Sequence, residues 1–509
     1  MFKDQPKGLL AAALANMGER FGFYIMMAVL TLFISSKFGL DEVSTGYIYS
    51  AFYASIYLLA LVGGLIADGT KKYKQTILAG IILMALGYLI IGIPTPTPVP
   101  SFAGYLGLTC LGLFVIAFGN GLFKGNLQAL VGQMYDDPKY AAKRESGFQI
   151  FYMFINIGSF FAPFIAVGMR NWWLKTNGFL YNSKLPELCH EYIKMGDNIA
   201  PDRLSLLRDY AAEAAGAPVA NLGEFVNQYL NIFNVGFQYA FIAAIVMMLI
   251  SLTIFVANKK GLPDPSQRAL KKTDSPSAAE IKMDVREIRQ RILALFAVFG
   301  VVIFFWFSFH QNGYSLTYFA RDYVDLNIIH FDLGFTEIKG AEIFQCVNPF
   351  FVVTLTPLIM WFFGWLKGKG RTISTPMKIA IGMGIAAAAY VFLMLFSFAL
   401  PSRGETIAAE QLVTPWVMVG LYFILTVAEL FISPLGLAFV SKVAPPHMQG
   451  LMQGAWLAAT AIGNSVLFIG GLLYSNVPIW VTWLVFVCAC SLSMFVMLAM
   501  LRWLERVAK

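Results

Sequence analysis

The stretch KKGLPDPSQRALKKTDSPSAAEIKMDVREIRQR, Lys259 to Arg291, is polar and basic, is punctuated by Pro263 and Pro265, and divides a chain that is apolar almost everywhere else. On both sides lie blocks of twenty or more apolar residues, each long enough to cross a hydrocarbon core about 30 Å thick. Before it the blocks fall near 14–36, 44–67, 75–95, 101–134, 146–169 and 235–257. After it they fall near 292–320, 342–366, 375–400, 412–441, 449–475 and 479–501. The pattern predicts an all-α integral membrane protein of twelve spans in two six-helix bundles, residues 1–258 and 292–509. Residues 259–291 form the linker between them. The second part of the linker has the spacing of an amphipathic basic helix lying along the membrane surface.

Composition agrees. Of 509 residues, 58% are hydrophobic and only 13% charged, too little charge to cover the water-facing surface of a soluble protein of this size. The formal net charge of +8 could suggest a nucleic-acid partner, but its distribution argues against one. Lys3, Lys7, Lys71, Lys72, Lys74, Lys139, Lys143, Arg144, the linker, Lys367, Lys369, Arg371, Arg502, Arg506 and Lys509 all fall on one side of the apolar blocks. The opposite short loops are nearly free of them, as in PTPTPVPS, Pro94 to Ser101. Positive residues stay inside, so both termini are expected to be cytoplasmic. The five cysteines have no zinc spacing, and four lie in or beside apolar blocks, which argues against a disulfide framework. The first block has no cleavage pattern after it and is expected to remain a span. No nucleophile–base pair, metal cluster or phosphate loop is visible, so the expectation is a non-enzyme without a cofactor.

The segment 170–235 is long and mixed in charge, and by parity it lies outside. It is read as an outer insertion forming a structural cap, with a partner-binding element as the alternative.

Five ionisable positions fall inside the spans: Glu19 and Arg20 in the first, Lys124 in the fourth, His310 in the seventh and Glu429 in the tenth. On insertion scales a charge there costs roughly 2.5–3.5 kcal/mol, so such residues face a wet cavity or pair with one another. Arg20 and Lys124 in one half and Glu429 in the other present opposite charges across a cavity, an arrangement that fits a zwitterion. Asn156 and Asn348 can add neutral hydrogen bonds there, or serve as contacts between helices. Tyr24 shares a helix face with Arg20, and Trp306 with His310. Tyr57 and Trp456 lie in mid-span.

These residues stand in stretches that resemble the proton-dependent oligopeptide transporter family of the major facilitator superfamily. The likeness runs from Pro6 to the C-terminus, excluding 170–235. It rests on Glu19-Arg20-Phe21 with Tyr24, Gly63–Asp68, Gly119–Lys124, and Phe151–Ser159 with Pro163. In the second half it rests on Gln345 with Asn348-Pro349, Glu429 with Ser433–Gly436, Ala444-Pro445, Gly454, Trp456 and Gly463-Asn464. The resemblance implies alternating access by two related halves around a midplane site, and import of di- and tripeptides with protons by a monomer in a bacterial inner membrane. It implies that Arg20 and Lys124 meet the peptide carboxylate, and that Asn156, Asn348 and Glu429 meet the amino end. Tyr24, Tyr57, Trp306 and Trp456 would line side-chain pockets. The helix pair that many bacterial members insert between spans six and seven is absent.

Three positions depart from the pattern. Asn16 replaces the first Glu of the ExxER motif, Met27 replaces an Arg, and His310 replaces an acid before Gln311. In relatives the last two pair across the bundles, so losing both avoids an orphaned buried charge. Proton coupling is therefore expected to involve Glu19 with Lys124, His310 or Glu429. Two alternatives stand beside this reading: an uncoupled facilitator or carrier of another small zwitterion or anion, and a membrane receptor that uses 170–235.

Overall fold

The computed structural model describes residues 5–135, 137–141, 143–263, 285–371, 373–403, 405, 407–445 and 449–507. The helices in the first part of the chain are α1 (Lys7–Phe38), α2 (Glu42–Thr70), α3 (Tyr73–Gly92), α4 (Phe102–Met134), a short α5 (Pro138–Ala141) and α6 (Arg144–Thr176). Next come α7 (Leu185–Met195), α8 (Pro201–Ala215) and α9 (Leu222–Asn258). The second part contains α10 (Val285–Phe309), α11 (Ser315–Tyr323), α12 (Val347–Gly368), α13 (Thr375–Ser397), α14 (Pro415–Val443), α15 (Gln449–Ser465), α16 (Phe468–Asn476) and α17 (Ile479–Val507). Among the described residues, 12 helical stretches are long and apolar enough to cross a membrane. Of the expected linker, 264–284 lies outside the described residues, and Val285–Arg291, expected to belong to a helix along the membrane surface, are the first turns of α10.

Lipid does not press apolar helices together, so close approach depends on small residues. A Cβ on Gly80 would stand 2.6 Å from the Gly119 carbonyl oxygen, and one on Gly119 would stand 2.7 Å from that of Gly80, so α3 and α4 touch backbone to backbone. Large apolar side chains such as Leu111, Phe114, Trp361 and Phe495 stay exposed on the outer surface of the spans. Helices α1, α6 and α9 pack together in the first half, and α13 packs on α14 and α17 in the second. Across the halves, α2 packs on α15 and α16, and α6 packs on the start of span eight.

Two expectations change. The outer insertion is shorter than 170–235, because α6 continues to Thr176 and α9 already begins at Leu222, capped by the Asn221 side chain. The part that stands apart from the spans, 177–221, carries α7 and α8. These bury Leu185, Leu188 and Cys189, and Leu207, Ala211 and Ala214. His190 Nε2 donates to the Ser36 carbonyl at 2.6 Å, fixing α7 on the end of α1. The insertion therefore caps the face away from the termini.

The second change is that spans seven and eleven are broken. A 3-10 turn at His310–Gly313 separates α10 from α11, and α15 stops at Ser465 before α16 begins at Phe468. Polar backbone exposed by such breaks must find partners inside an apolar layer. Gln311 supplies them for both, donating from Nε2 to Phe307 O at 3.2 Å and Leu467 O at 3.3 Å. Continuous hydropathy hid these interruptions from the sequence.

Candidate functional site

Glu19 and Arg20 are both buried in α1, and the arginine folds back on its neighbour. Arg20 Nε donates to Glu19 Oε2 at 2.5 Å and Nη2 to Oε1 at 2.6 Å. Asn120 Nδ2 of α4 adds a third bond to Glu19 Oε1 at 3.0 Å, and the guanidinium lies 4.7 Å from the Phe23 ring centroid. The expected Glu19–Lys124 pair is not closed. Glu19 is held by Arg20 and Asn120, and among the described residues no carboxylate lies within ion-pair distance of Lys124. Instead Lys124 Nζ sits 5.0 Å from the centroid of Tyr57, a cation–π contact that leaves its hydrogen-bonding capacity free. The candidate cation is therefore Lys124, with Arg20 already neutralised.

From Lys124 a line of rings crosses to the second half. Tyr57 leans on His310 at 6.4 Å between ring centroids, Tyr53 on His310 at 4.6 Å, and His310 stacks on Trp306 at 4.8 Å. His310 Nδ1 and Asn464 Oδ1 of α15 are 2.5 Å apart, so the imidazole donates to the amide. Among the described residues, Trp306 Nε1 is buried without a hydrogen-bond partner, as are Asn464 Nδ2, Tyr49 Oη and Asn16 Nδ2. Buried donors left unpaired in the protein are costly unless water or a bound polar molecule reaches them.

Glu429 completes the set from α14. Asn348 Nδ2 donates to Glu429 Oε2 at 2.8 Å and to Thr426 Oγ1 at 3.0 Å. Among the described residues Glu429 has no cation at ion-pair distance. It interacts electrostatically with Tyr24, Tyr57 and Tyr152 across the halves. Asn156 is the weaker assignment, since its Nδ2 donates to Tyr152 O of its own helix at 3.0 Å. Trp456 is buried against Phe299, and Gly436 gives its ring room, because a Cβ there would stand 2.0 Å from it.

The face away from the termini is closed by charges the sequence reading did not single out. Glu42 at the start of α2 receives Arg321 Nη2 at 3.2 Å and also pairs with Arg403. Arg321 is held by Asp322 at 2.6 Å, and Arg403 reaches Glu187 of α7 at 3.2 Å. Tyr314 is wedged beside Gly46 and Gly471, its hydroxyl on the Glu42 carbonyl. Further along this face Arg170 of α6 pairs with Glu342, both fully buried. Apart from the adjacent Arg321 and Asp322, these partners are far apart in sequence and carry no local signal. The flanking Gly46, Gly313 and Gly340, where backbone or rings approach closely, were the only trace.

Lys124 and Glu429 both lie near Tyr57 from the two halves, an arrangement that can meet a molecule with separated opposite charges. The chain matches the model of the POT family, PTR2, over residues 74–267 and 266–476. It is 30% identical over 482 residues to the peptide transporter YePEPT of Yersinia enterocolitica, covering 91% of this chain and 87% of that one. It is 27% identical to dipeptide and tripeptide permease B of Xenorhabdus bovienii, covering 91% and 86%. In fold it is similar to the crystal structure of peptide transporter POT in complex with sulfate, with TM-score 0.71 and 22% identity over 100% of this chain and 96% of that one. A POT family transporter in complex with 5-aminolevulinic acid gives TM-score 0.69 at 19% identity, covering 100% and 98%. A family match across most of the chain, together with a relative 30% identical over 91% of it, establishes that this multi-pass membrane protein belongs to the POT family.

Proposed function

We propose that the chain imports di- and tripeptides with protons across a bacterial inner membrane, as a monomer, with both termini cytoplasmic. The observation that supports this reading is that Lys124, free of any carboxylate partner among the described residues, and Glu429, hydrogen-bonded by the neutral Asn348, both lie near Tyr57. A peptide carboxylate would take the lysine and its ammonium group the glutamate, each exchanging hydration for a charge-assisted hydrogen bond. Trp306, Trp456, Tyr24 and Tyr57 would contact the side chains. Names of relatives such as dipeptide and tripeptide permease B support the substrate class.

In this reading the halves 1–258 and 292–509 rock about the site, with the outer face closed and the inner face ready to open. Glu19, Lys124, His310 and Glu429 are the groups at the site through which protons could be linked to the cargo. The uncoupled facilitator is the second reading. It is favoured by one observation: His310 is engaged with Asn464 and Trp306 rather than with an ion-pair partner across the halves.

The test is dipeptide uptake into proteoliposomes with and without an imposed pH gradient. Concentration of peptide against its gradient supports symport. Equilibration without concentration supports the facilitator, and no movement at all supports a receptor that uses the insertion.

A further inference from the structure

On the face away from the termini, the chain between spans seven and eight folds into a small hairpin. Phe331 pairs with Ile338 and Asp332 with Glu337 in antiparallel register. The turn is built locally: Leu333 N donates to the Thr336 carbonyl at 2.9 Å, and Gly334 N to Asp332 Oδ1 at 2.8 Å. Gly334 has φ +81°, a left-handed backbone that glycine adopts without steric cost. The turn holds Leu333 and Phe335 out at its tip.

The side chains it displays are apolar. Ile328, Phe331, Leu333 and Phe335 are 54%, 61%, 54% and 69% exposed. Apolar area left in water costs free energy in proportion to its extent, and a cluster of such residues marks a surface that binds protein or membrane. On the spans the same exposure is ordinary, because lipid covers it. A hairpin beyond the helix ends needs a cover of its own.

The height of the hairpin decides which cover is in reach. Thr336 Oγ1 donates to the Gly168 carbonyl at 2.7 Å, Asn171 Nδ2 to the Glu337 carbonyl at 2.8 Å, and Lys175 Nζ meets Asp332 at 3.1 Å. The hairpin therefore climbs along the last turns of α6, from Gly168 to the helix end at Thr176, a rise of about 12 Å. On those turns Trp172 and Trp173 stand 5.8 and 4.7 Å from Tyr239 of α9. Paired amphipathic rings at the end of a span mark the headgroup level of a bilayer. At the hairpin's base, Ile338 packs with Val167, beside Phe160 and Phe164, and Phe160 lies 6.1 Å from Phe350 of α12. Phe161 and Phe350 are exposed along this seam. The apolar tip thus continues the lipid-facing surface upward at the line where the two halves meet.

We infer that the hairpin 328–335 is an interfacial anchor whose partner is phospholipid in the leaflet on the face away from the termini. Its four apolar side chains enter the boundary between headgroups and acyl chains. Lys175, 33% exposed while bound to Asp332, and Lys339, bound to Asn327 Oδ1 at 2.6 Å, bring ammonium groups to the level of the phosphates on long flexible stems. The attachments of the hairpin to α6 cross from one half to the other, so the lipid that holds the tip also bears on the seam between them.

The experiment places a nitroxide at Leu333→Cys in the full chain, with the exposed Cys110 and Cys488 replaced by Ala, in liposomes of phosphatidylethanolamine and phosphatidylglycerol. Collision rates with oxygen, which partitions into lipid, and with a water-soluble nickel chelate report the depth of the label. The oxygen-to-nickel ratio should be several-fold higher than at Pro218→Cys on the insertion. It should fall toward the Pro218→Cys value when Phe331→Ser and Phe335→Ser are added. A label at Leu333→Cys that nickel reaches as freely as one at Pro218→Cys overturns the anchor. So does a ratio left unchanged by the two serines, which would mean that the spans alone set the height of the tip. Spin–spin broadening that vanishes on dilution with unlabelled chain would show a second copy covering the tip. Protection from nickel in native vesicles but not in liposomes would show another protein there, and either result overturns the lipid assignment. If the double serine variant does not insert, Phe335→Ser alone is compared: a lowered ratio supports the anchor and an unmoved one overturns it.

Discussion

Arg20 closes a two-point ion pair on the residue just before it, Glu19, at 2.5 and 2.6 Å. Successive residues on a helix point in different directions, so the contact requires the long arginine side chain to curl back. While Glu19 is ionised, Arg20 is unavailable to a peptide carboxylate. Glu19→Gln should release it. The expected result is tighter binding of peptides bearing a free carboxylate, together with loss of accumulation under a pH gradient and retention of exchange. Equilibrium binding and counterflow on the same preparation measure both, and unchanged accumulation would show that Glu19 serves Arg20 alone.

Lys124→Ala removes the cation that no carboxylate engages. Losing one partner of a desolvated charge pair costs about 2–5 kcal/mol, so affinity for a free dipeptide should fall at least about tenfold and uptake should cease. A dipeptide methyl ester, lacking the carboxylate, should bind wild type and Lys124→Ala alike. A loss for the ester as large as that for the free peptide would place the effect in folding.

His310→Gln keeps a hydrogen-bonding side chain beside Asn464 and removes a titratable ring from the chain of contacts between Lys124 and Trp306. It should shift the pH optimum of uptake while accumulation continues. Loss of accumulation here, with Glu19→Gln normal, would move the site-side proton step to span seven.

His190 gives a pH effect of known sign outside the membrane. Burial lowers its pKa below the ordinary 6.5, opposed by the hydrogen bond to Ser36, with Lys194 adding repulsion. A depressed pKa means that the unfolded segment binds the proton more readily. The docking of α7 on α1 is therefore full above about pH 6.5 and weakens as pH falls through the folded value. Hydrogen exchange of the α7 amides, corrected for intrinsic rates, should rise on acidification in wild type and stay flat in His190→Asn.

Topology follows from the lysine and arginine asymmetry. In a chain with the exposed Cys110 and Cys488 replaced by Ala, Pro218→Cys should label from outside intact cells. Labelling only after permeabilisation would invert the orientation.

The twelve spans were legible because each apolar block is bounded by charge or proline, and Glu19, Arg20, Lys124 and Glu429 stood out against that background. Their pairing was not legible. Arg20 could equally have faced Lys124's ligand, and only the geometry of α1 turns it onto Glu19. By hydropathy Arg170 is the first residue of a loop and Glu342 the first of a span. Their contact joins positions 172 apart, and no periodicity within one helix encodes such a distance. The breaks at His310 and Ser465 escaped because hydropathy averages over a turn and does not register where a backbone carbonyl finds its partner.

Those two breaks have a mechanical consequence. They meet at Gln311, and beyond it α11 and α16 are joined by the Tyr474 hydroxyl on Asp322 at 2.8 Å and by Tyr318 and Tyr474 rings 6.3 Å apart. The long segments α10 and α15, on the side of the C-terminus, end where these two short ones begin. Such a pair behaves like a forearm hinged at the elbow: it can swing as one piece while the upper arm stays still. The outer gate can then move without carrying His310, Trp306 and Asn464 with it, keeping the pocket's geometry independent of the door's position. Spin labels across the outer gate should report large distance changes during turnover, and labels on α10 and α15 small ones.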